Sequence, residues 1–143
     1  MTETVKWRPM EGFIKAAMAS VLVFWGGLHP TWQVLALLQL LDIITGLIVA
    51  GMRGEISSEA SFRGMSKKAL AWILVKTTDI LAAHGPGMVG VEMQIPGGPA
   101  VAGYYILTEF VSIVENIGRA DPSLVPAPIQ AVLEKLGRGG PRK

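Results

Sequence analysis

Cysteine is absent from this chain of 143 residues, and histidine occurs only twice. Without cysteine there is no disulfide, no thiolate nucleophile and no cysteine-ligated zinc. The two histidines, His29 and His84, each lie at the mouth of an apolar stretch, which argues against a His-rich metal site. The sequence also has no convincing catalytic triad, no phosphate-binding glycine loop and no metal-ligand spacing. We therefore expect neither enzyme activity nor a cofactor.

Charge is also scarce. Only 17% of the residues are charged, against roughly 25% in soluble domains. Half of the residues are apolar, and the mean hydropathy is +0.44. The net charge of +2 would be a weak sign of nucleic-acid binding. The basic residues flank apolar stretches and form no single patch, so we expect no nucleic-acid partner.

The positions of the basic residues indicate a membrane topology. Eleven of the thirteen Lys and Arg residues lie before the first of four apolar stretches, between the second and third, or after the fourth. The two connectors 29–31 and 84–98 contain none. This positive-inside pattern predicts an all-α membrane protein with four transmembrane helices in two hairpins and both termini cytoplasmic. The predicted spans are residues 13–28, 32–52, 69–83 and 99–117.

The segments between and after the spans complete a single membrane domain, residues 1–143. Pro30 in the first connector predicts a tight turn and an antiparallel hairpin. Segment 53–68 is polar and allows a short surface helix, and 85–98 is a loop rich in glycine and proline. The cytoplasmic tail 118–143 contains an amphipathic helix at 129–136, on the membrane surface or against the cytoplasmic loop. The residues expected to bind anionic lipid headgroups are Arg53, Arg63, Lys67, Lys68 and Arg119.

A stripe of polar residues runs along the fourth span, because offsets of 0, 3, 4, 7, 10 and 11 share one face of a helix. The second span repeats this pattern at offsets 0, 3, 6 and 7, and the third span adds Lys76 and Asp79. We expect these residues to pair between helices or to line a pore. On the fourth span they are Tyr105, Thr108, Glu109, Ser112, Glu115 and Asn116; on the second they are Gln39, Asp42, Thr45 and Gly46.

Depth restricts where the ionisable residues can point. Asp42, Lys76 and Glu109 all lie near the middle of their predicted spans, where an isolated charge costs at least ~2.5–3.5 kcal/mol. We expect Asp42 to pair with Lys76, since adjacent antiparallel spans bring them together. Glu109, Glu115 and Asp79 have no evident partner within one chain, which favours neighbouring subunits or water. The alternative is that the polar groups only hold a bundle together.

The order of several short motifs resembles the bacteriophage lysis and toxin-secretion holin family, over roughly residues 35–136. No single motif is specific, but their order taken together is. The motifs are Leu-Asp-x-x-Thr-Gly at 41–46, Ser57-Ser58, Gly64 with Lys67-Lys68, Asp79, Tyr104-Tyr105 with Glu109, and Ser-Ile-x-Glu-Asn at 112–116.

The resemblance implies a small inner-membrane protein without catalytic residues that forms homo-oligomers. At a set time it opens lesions or collapses the membrane potential, and a separate muralytic enzyme then reaches the cell wall. The same chemistry leaves two other functions open. An ion or proton channel, or a transporter subunit, would use buried carboxylates and a lysine as a relay. A structural subunit of a membrane complex would use the stripe to dock a partner.

Overall fold

The computed structural model describes residues 8–89 and 96–135, which form five α-helices and one turn of 3₁₀-helix between α4 and α5. The predicted all-α class is confirmed for these residues. The predicted number of membrane spans and the orientation of the termini stay predictions. The helices are α1 Arg8–Gly26, α2 Pro30–Arg53, α3 Ser58–Val89, α4 Gly98–Ala120 and α5 Ala127–Lys135, and the 3₁₀ turn is Pro122–Leu124.

Helix α2 has clear start and stop signals. Pro30 occupies its first position, where a missing N–H costs nothing, and the His29 ring accepts a hydrogen bond from the Thr31 amide. Gly54 ends the helix in the left-handed region at φ 68°, and its N–H bonds back to the carbonyls of Ala50 and Gly51. Among the described residues, α2 alone is long and apolar enough to cross a membrane.

Helices α2, α3 and α4 form a bundle in which α4 packs against both of the others. Leu35 of α2, Val75 of α3 and Ala102 of α4 are fully buried together. The contacts between α2 and α4 advance in the same direction along both helices, from Leu35 with Ala102 to Arg53 with Arg119. These two helices are therefore parallel, and α3 runs antiparallel to both.

The bundle has two distinct ends. The first, which we call the tryptophan end, contains Trp32 and the start of α4. The second, the basic end, contains Arg53 and Arg119 at the C-terminal ends of α2 and α4. The antiparallel direction of α3 places its N-terminal turns on the side of the basic end.

Helix α1 does not form the packed antiparallel hairpin with α2 that the short connector predicts. No described helix packs along it, and its side chains from Met10 to Trp25 are exposed. Only the connector is fixed, because Gln33 donates hydrogen bonds to the carbonyls of Trp25 and Leu28, at 2.8 and 3.3 Å. A short turn brings two helices together at one end, but it does not supply the apolar contacts needed to pack them along their length.

Helix α3 is much longer than the predicted third span. It begins at Ser58, so the predicted surface helix within 53–68 is instead the first part of α3. It ends at Val89, so residues 85–89 of the predicted loop are helical, whereas 90–95 lie outside the described residues. At its start the polar residues before Lys68 do not prevent helix formation. At its end α3 continues through Gly85, Pro86 and Gly87, which are unfavourable in a helix but do not end it here.

The C-terminal segment folds back onto α4. The predicted amphipathic helix is present as α5, and Leu133 and Val125 are buried against Val114. It thus packs on α4; Leu136 lies outside the described residues. The turn before it is fixed by Asp121, whose carboxylate accepts a hydrogen bond from the Ser123 amide at 2.9 Å. Hydrogen bonding by the Ser123 side chain, and after it by the Ser123 amide, lowers the pKa of Asp121.

Helices α3 and α4 lie close together at Gly98. A Cβ atom there would lie 2.7 Å from Asp79 Cβ and 2.8 Å from the Val75 carbonyl oxygen. Neither neighbour is the free end of a flexible side chain, so any larger residue would push the two helices apart.

We predict that Gly98→Ala lowers the thermal stability of the purified protein in detergent, measured by circular dichroism. Gly103→Ala is the control, because nothing lies within 4 Å of its added Cβ and alanine favours the helix by about 1 kcal/mol. Equal melting temperatures for Gly98→Ala and the unaltered protein would contradict the tight contact.

Candidate functional site

The most buried charges of the bundle meet at one lysine. The Lys68 ammonium of α3 lies 2.9 Å from the Asp42 carboxylate of α2 and also contacts the Glu109 carboxylate of α4. These three side chains are 14%, 18% and 9% exposed. All three helices of the bundle therefore meet at one ionic contact, which we call the Lys68 junction.

An amide group completes the junction. The Asn116 side chain of α4 donates hydrogen bonds to Asp42 Oδ1 at 2.9 Å and to Thr45 Oγ1 at 3.2 Å. Two carboxylates share one ammonium here, so one negative charge remains, and a donor to a carboxylate stabilises that charge. Thr45 can accept this bond because its own hydroxyl donates to the Leu41 carbonyl within α2. Gly46 faces the amide, but a Cβ there would lie 3.5 Å from Asn116 Nδ2, an ordinary contact, so the site does not require glycine at this position.

A second polar contact lies one turn of α2 nearer the tryptophan end. Trp72 Nε1 of α3 donates to Gln39 Oε1 of α2 at 2.9 Å, and Gln39 is 6% exposed. Because an indole can only donate, this bond fixes which way the amide points. The Gln39 Nε2 group is then buried without an acceptor among the described residues. Together with the Lys68 junction and its Asn116–Thr45 contact, the Gln39–Trp72 pair makes a continuous polar seam through the bundle.

Two other predicted intramembrane residues lie at the tryptophan end. Lys76 pairs with Asp79 at 3.5 Å, and its ammonium lies 3.7 Å from the ring centre of Trp32. The predicted pair of Asp42 with Lys76 is therefore wrong, because Asp42 pairs with Lys68 and Lys76 pairs with Asp79. The predictions that Asp79 and Glu109 lack a partner within one chain are wrong as well. The register of α3 explains these errors, because it brings Lys68 and not Lys76 level with Asp42.

The remaining stripe residues of α4 contribute less to the seam. Thr108 and Ser112 donate to the carbonyls of Tyr104 and Thr108 within their own helix, at 3.1 and 3.0 Å. Such back-bonding satisfies a hydroxyl without a partner on another helix. Tyr105 packs against the apolar cluster around Leu35, and Glu115 is half-buried.

Four of the five predicted headgroup residues lie on the surface, near the basic end. Arg53 donates to the Arg119 carbonyl at 3.1 Å, and Arg119 approaches Glu55 at 4.0 Å. Arg63 and Lys67 are exposed on the N-terminal part of α3. Lys68 is the exception, because its side chain points into the bundle; its assignment to the lipid surface is corrected here.

Sequence reasoning missed the roles of Lys68 and Trp72. The signal was present, since Lys68, Trp72, Val75 and Asp79 lie at offsets 0, 4, 7 and 11 and so share one helical face. The predicted third span begins at residue 69, directly after Lys67 and Lys68, and so leaves Lys68 off this face. A helix drawn back to Ser58 would have placed Lys68 on the same face as Trp72.

These features define a class of protein: a small helical bundle with apolar outer surfaces and an ionic seam closed between its helices. Among the described residues no group of three or more potential metal ligands is found. The chain belongs to the bacteriophage holin family, whose sequence model matches residues 19–138. This membership makes it a membrane protein with a holin-like function.

The most similar relatives found do not narrow the function further. An uncharacterized protein of Halalkalibacterium halodurans is 29% identical over 114 residues, covering 77% of this chain and 84% of the relative. Uncharacterized proteins of Listeria monocytogenes and Listeria innocua are each 34% identical over 82 residues. That match covers 54% of this chain and 51% of each Listeria protein, about half of their length. No solved structure matches the chain.

We predict that Lys68→Met destabilises the bundle, because it leaves two carboxylates facing each other. Removing one partner of a fully buried ion pair costs about 3–5 kcal/mol. The partial exposure of Lys68 favours the lower end of that range. The free energy of unfolding in detergent measures the effect. Lys67→Met is the matched control, because the neighbouring Lys67 side chain is exposed and contacts neither carboxylate.

The combined variant Lys68→Met, Asp42→Asn and Glu109→Gln tests the cause. It removes all three charges, so it should recover much of the lost stability. If Lys68→Met were as stable as Lys67→Met, the junction would have no energetic role.

Proposed function

We propose that the chain is a holin that oligomerises in the bacterial inner membrane and opens lesions there. Through the lesions a muralytic enzyme reaches the cell wall and the host lyses; export of a toxin would use the same step. The observation that carries the proposal is the polar seam of ionised and amide side chains, which runs through helices whose other faces are apolar. Membership in the holin family supports the same conclusion.

The seam supplies what an aqueous lesion needs. Charged groups at mid-depth in a bilayer are tolerated only when they are paired or hydrated. In the described conformation Lys68 satisfies Asp42 and Glu109 within one protomer, so the seam is closed. When protomers gather, the same groups can be hydrated in a common water-filled space, and the apolar faces of α2 and α4 then meet lipid or neighbouring protomers.

The exposed apolar surface agrees with a membrane setting. Large apolar side chains of α2 such as Leu37, Ile44 and Ile48 are about half exposed. A soluble monomer rarely exposes such a continuous surface. We propose a multi-pass topology in which the basic end faces the cytoplasm, where Arg53, Arg63 and Arg119 would bind anionic lipid at about 1 kcal/mol each.

A small ion or proton channel is the second candidate. It is favoured by the arrangement of the Lys68 junction, where two carboxylates and an ammonium lie together within a single protomer. A channel of that kind passes ions only, whereas a large lesion also releases a folded protein. Liposomes that contain both a small dye and a folded protein therefore distinguish the two functions.

We predict that bacteria lyse abruptly when they produce this chain together with a muralytic enzyme in the cytoplasm. The double variant Asp42→Asn and Glu109→Gln should shift the onset of lysis or abolish it, because it removes the seam's negative charges. Culture density measures the onset. The control, Glu11→Gln with Glu134→Gln, removes two exposed carboxylates outside the seam and should keep the normal onset. Identical onsets for the two double variants would remove the seam from the mechanism.

A further inference from the structure

The three helices of the bundle differ in how extensively they pack against one another. Helices α2 and α4 pack against each other more extensively than any other pair of helices. Helix α3 buries little apolar surface: Ala71 and Val75 are its buried apolar side chains in the described part of the chain. Larger side chains that could have formed an apolar contact, such as Phe62 and Ile73, are instead 74% and 62% exposed.

Besides the apolar contact of Val75, polar contacts tie α3 to the other two helices. Lys68 reaches both other helices, and Trp72 donates to Gln39. Water competes for such contacts but does not compete for apolar packing, because a hydrated ion pair in high dielectric loses most of its attraction. Hydration of the seam would therefore weaken the contacts that Lys68 and Trp72 of α3 make, whereas the packing of α2 on α4 would persist.

The position of α3 also controls access to the seam. Helix α3 lies against Asp42 of α2 and Glu109 of α4, because Lys68 contacts both carboxylates. Glu109 is only 7% exposed in this arrangement. A protomer in this state cannot present the seam to a shared aqueous space. Either α3 leaves, or the seam stays closed.

We propose that α3 is the displaceable helix of the protein and that Lys68 is the latch that keeps it closed. Opening is the departure of α3 from an α2–α4 pair that stays intact, which exposes Asp42 and Glu109 to water. This inference rests on the proposed function and adds its regulation. It makes Lys68 a positioning residue and α3 an autoinhibitory element.

The absence of native cysteine allows a direct test by locking helix pairs together. Val75→Cys with Ala102→Cys joins α3 to α4, and Leu35→Cys with Ala102→Cys joins α2 to α4. All three sites belong to one buried cluster, so the two locks are matched in burial and share one position. Each purified double variant is placed in liposomes containing a fluorescent dye, and release is compared after oxidation and after reduction.

We expect the oxidised α3–α4 lock to abolish dye release and reduction to restore it, which also shows that the variant is folded. The oxidised α2–α4 lock should release dye at the rate of its reduced form. Release from both oxidised locks would overturn the inference and leave the proposed function standing. Loss of release from both would also overturn it, since α2 and α4 would then have to separate. No release from the reduced proteins would overturn the proposed function itself.

A milder variant tests a second polar contact that holds α3, without a cross-link. Trp72→Phe keeps the ring but removes the hydrogen bond to Gln39, and loss of one such bond should raise the fraction of open protomers about fivefold. Dye release should become faster to a similar degree. Trp25→Phe is the control, because that side chain lies on α1 outside the bundle. Equal rates for the two variants would contradict a closing role for the Trp72–Gln39 bond.

Discussion

The ammonium group of Lys68 lies where α2, α3 and α4 meet, and the arrangement of those helices depends on the groups that surround it. An unpaired charge in such a place costs several kcal/mol, so the helices must bring carboxylates to it. Asp42 and Glu109 do so from two parallel helices, and Asn116 supplies a donor for the negative charge left over. This contact fixes the register of α3 against α2 and α4, and with it the positions of Trp72, Val75 and Asp79.

The register has consequences at both ends of the bundle. At the tryptophan end it sets Lys76 above Trp32 and brings α3 close to α4 at Gly98, where only a glycine fits. Towards the basic end it leaves the first turns of α3 exposed, with Arg63 and Lys67 on their surface. The Lys68 junction therefore turns Lys68 into the bundle, whereas Arg63 and Lys67 lie on the surface.

The sequence was sufficient to predict the helical class, the close connection between α1 and α2, an amphipathic C-terminal helix and the polar residues of α2 and α4. Those features follow from local signals such as periodicity and Pro30. The register of α3 could not be predicted in the same way, because it depends on which lysine finds two carboxylates on other helices. The first helix shows the same limit: a short connector is visible in the sequence, but the absence of packed contacts along α1 is a tertiary property.

The position of the Lys68 side chain is the claim on which the rest depends. Solid-state NMR on the protein in lipid bilayers, with ¹⁵N-labelled lysine and ¹³C-labelled aspartate and glutamate, measures it directly. The structure predicts strong nitrogen–carbon coupling between Lys68 and both Asp42 and Glu109, in keeping with the 2.9 Å contact to Asp42. A Lys68 ammonium that couples to neither carboxylate and exchanges with water as Lys67 does would contradict the account.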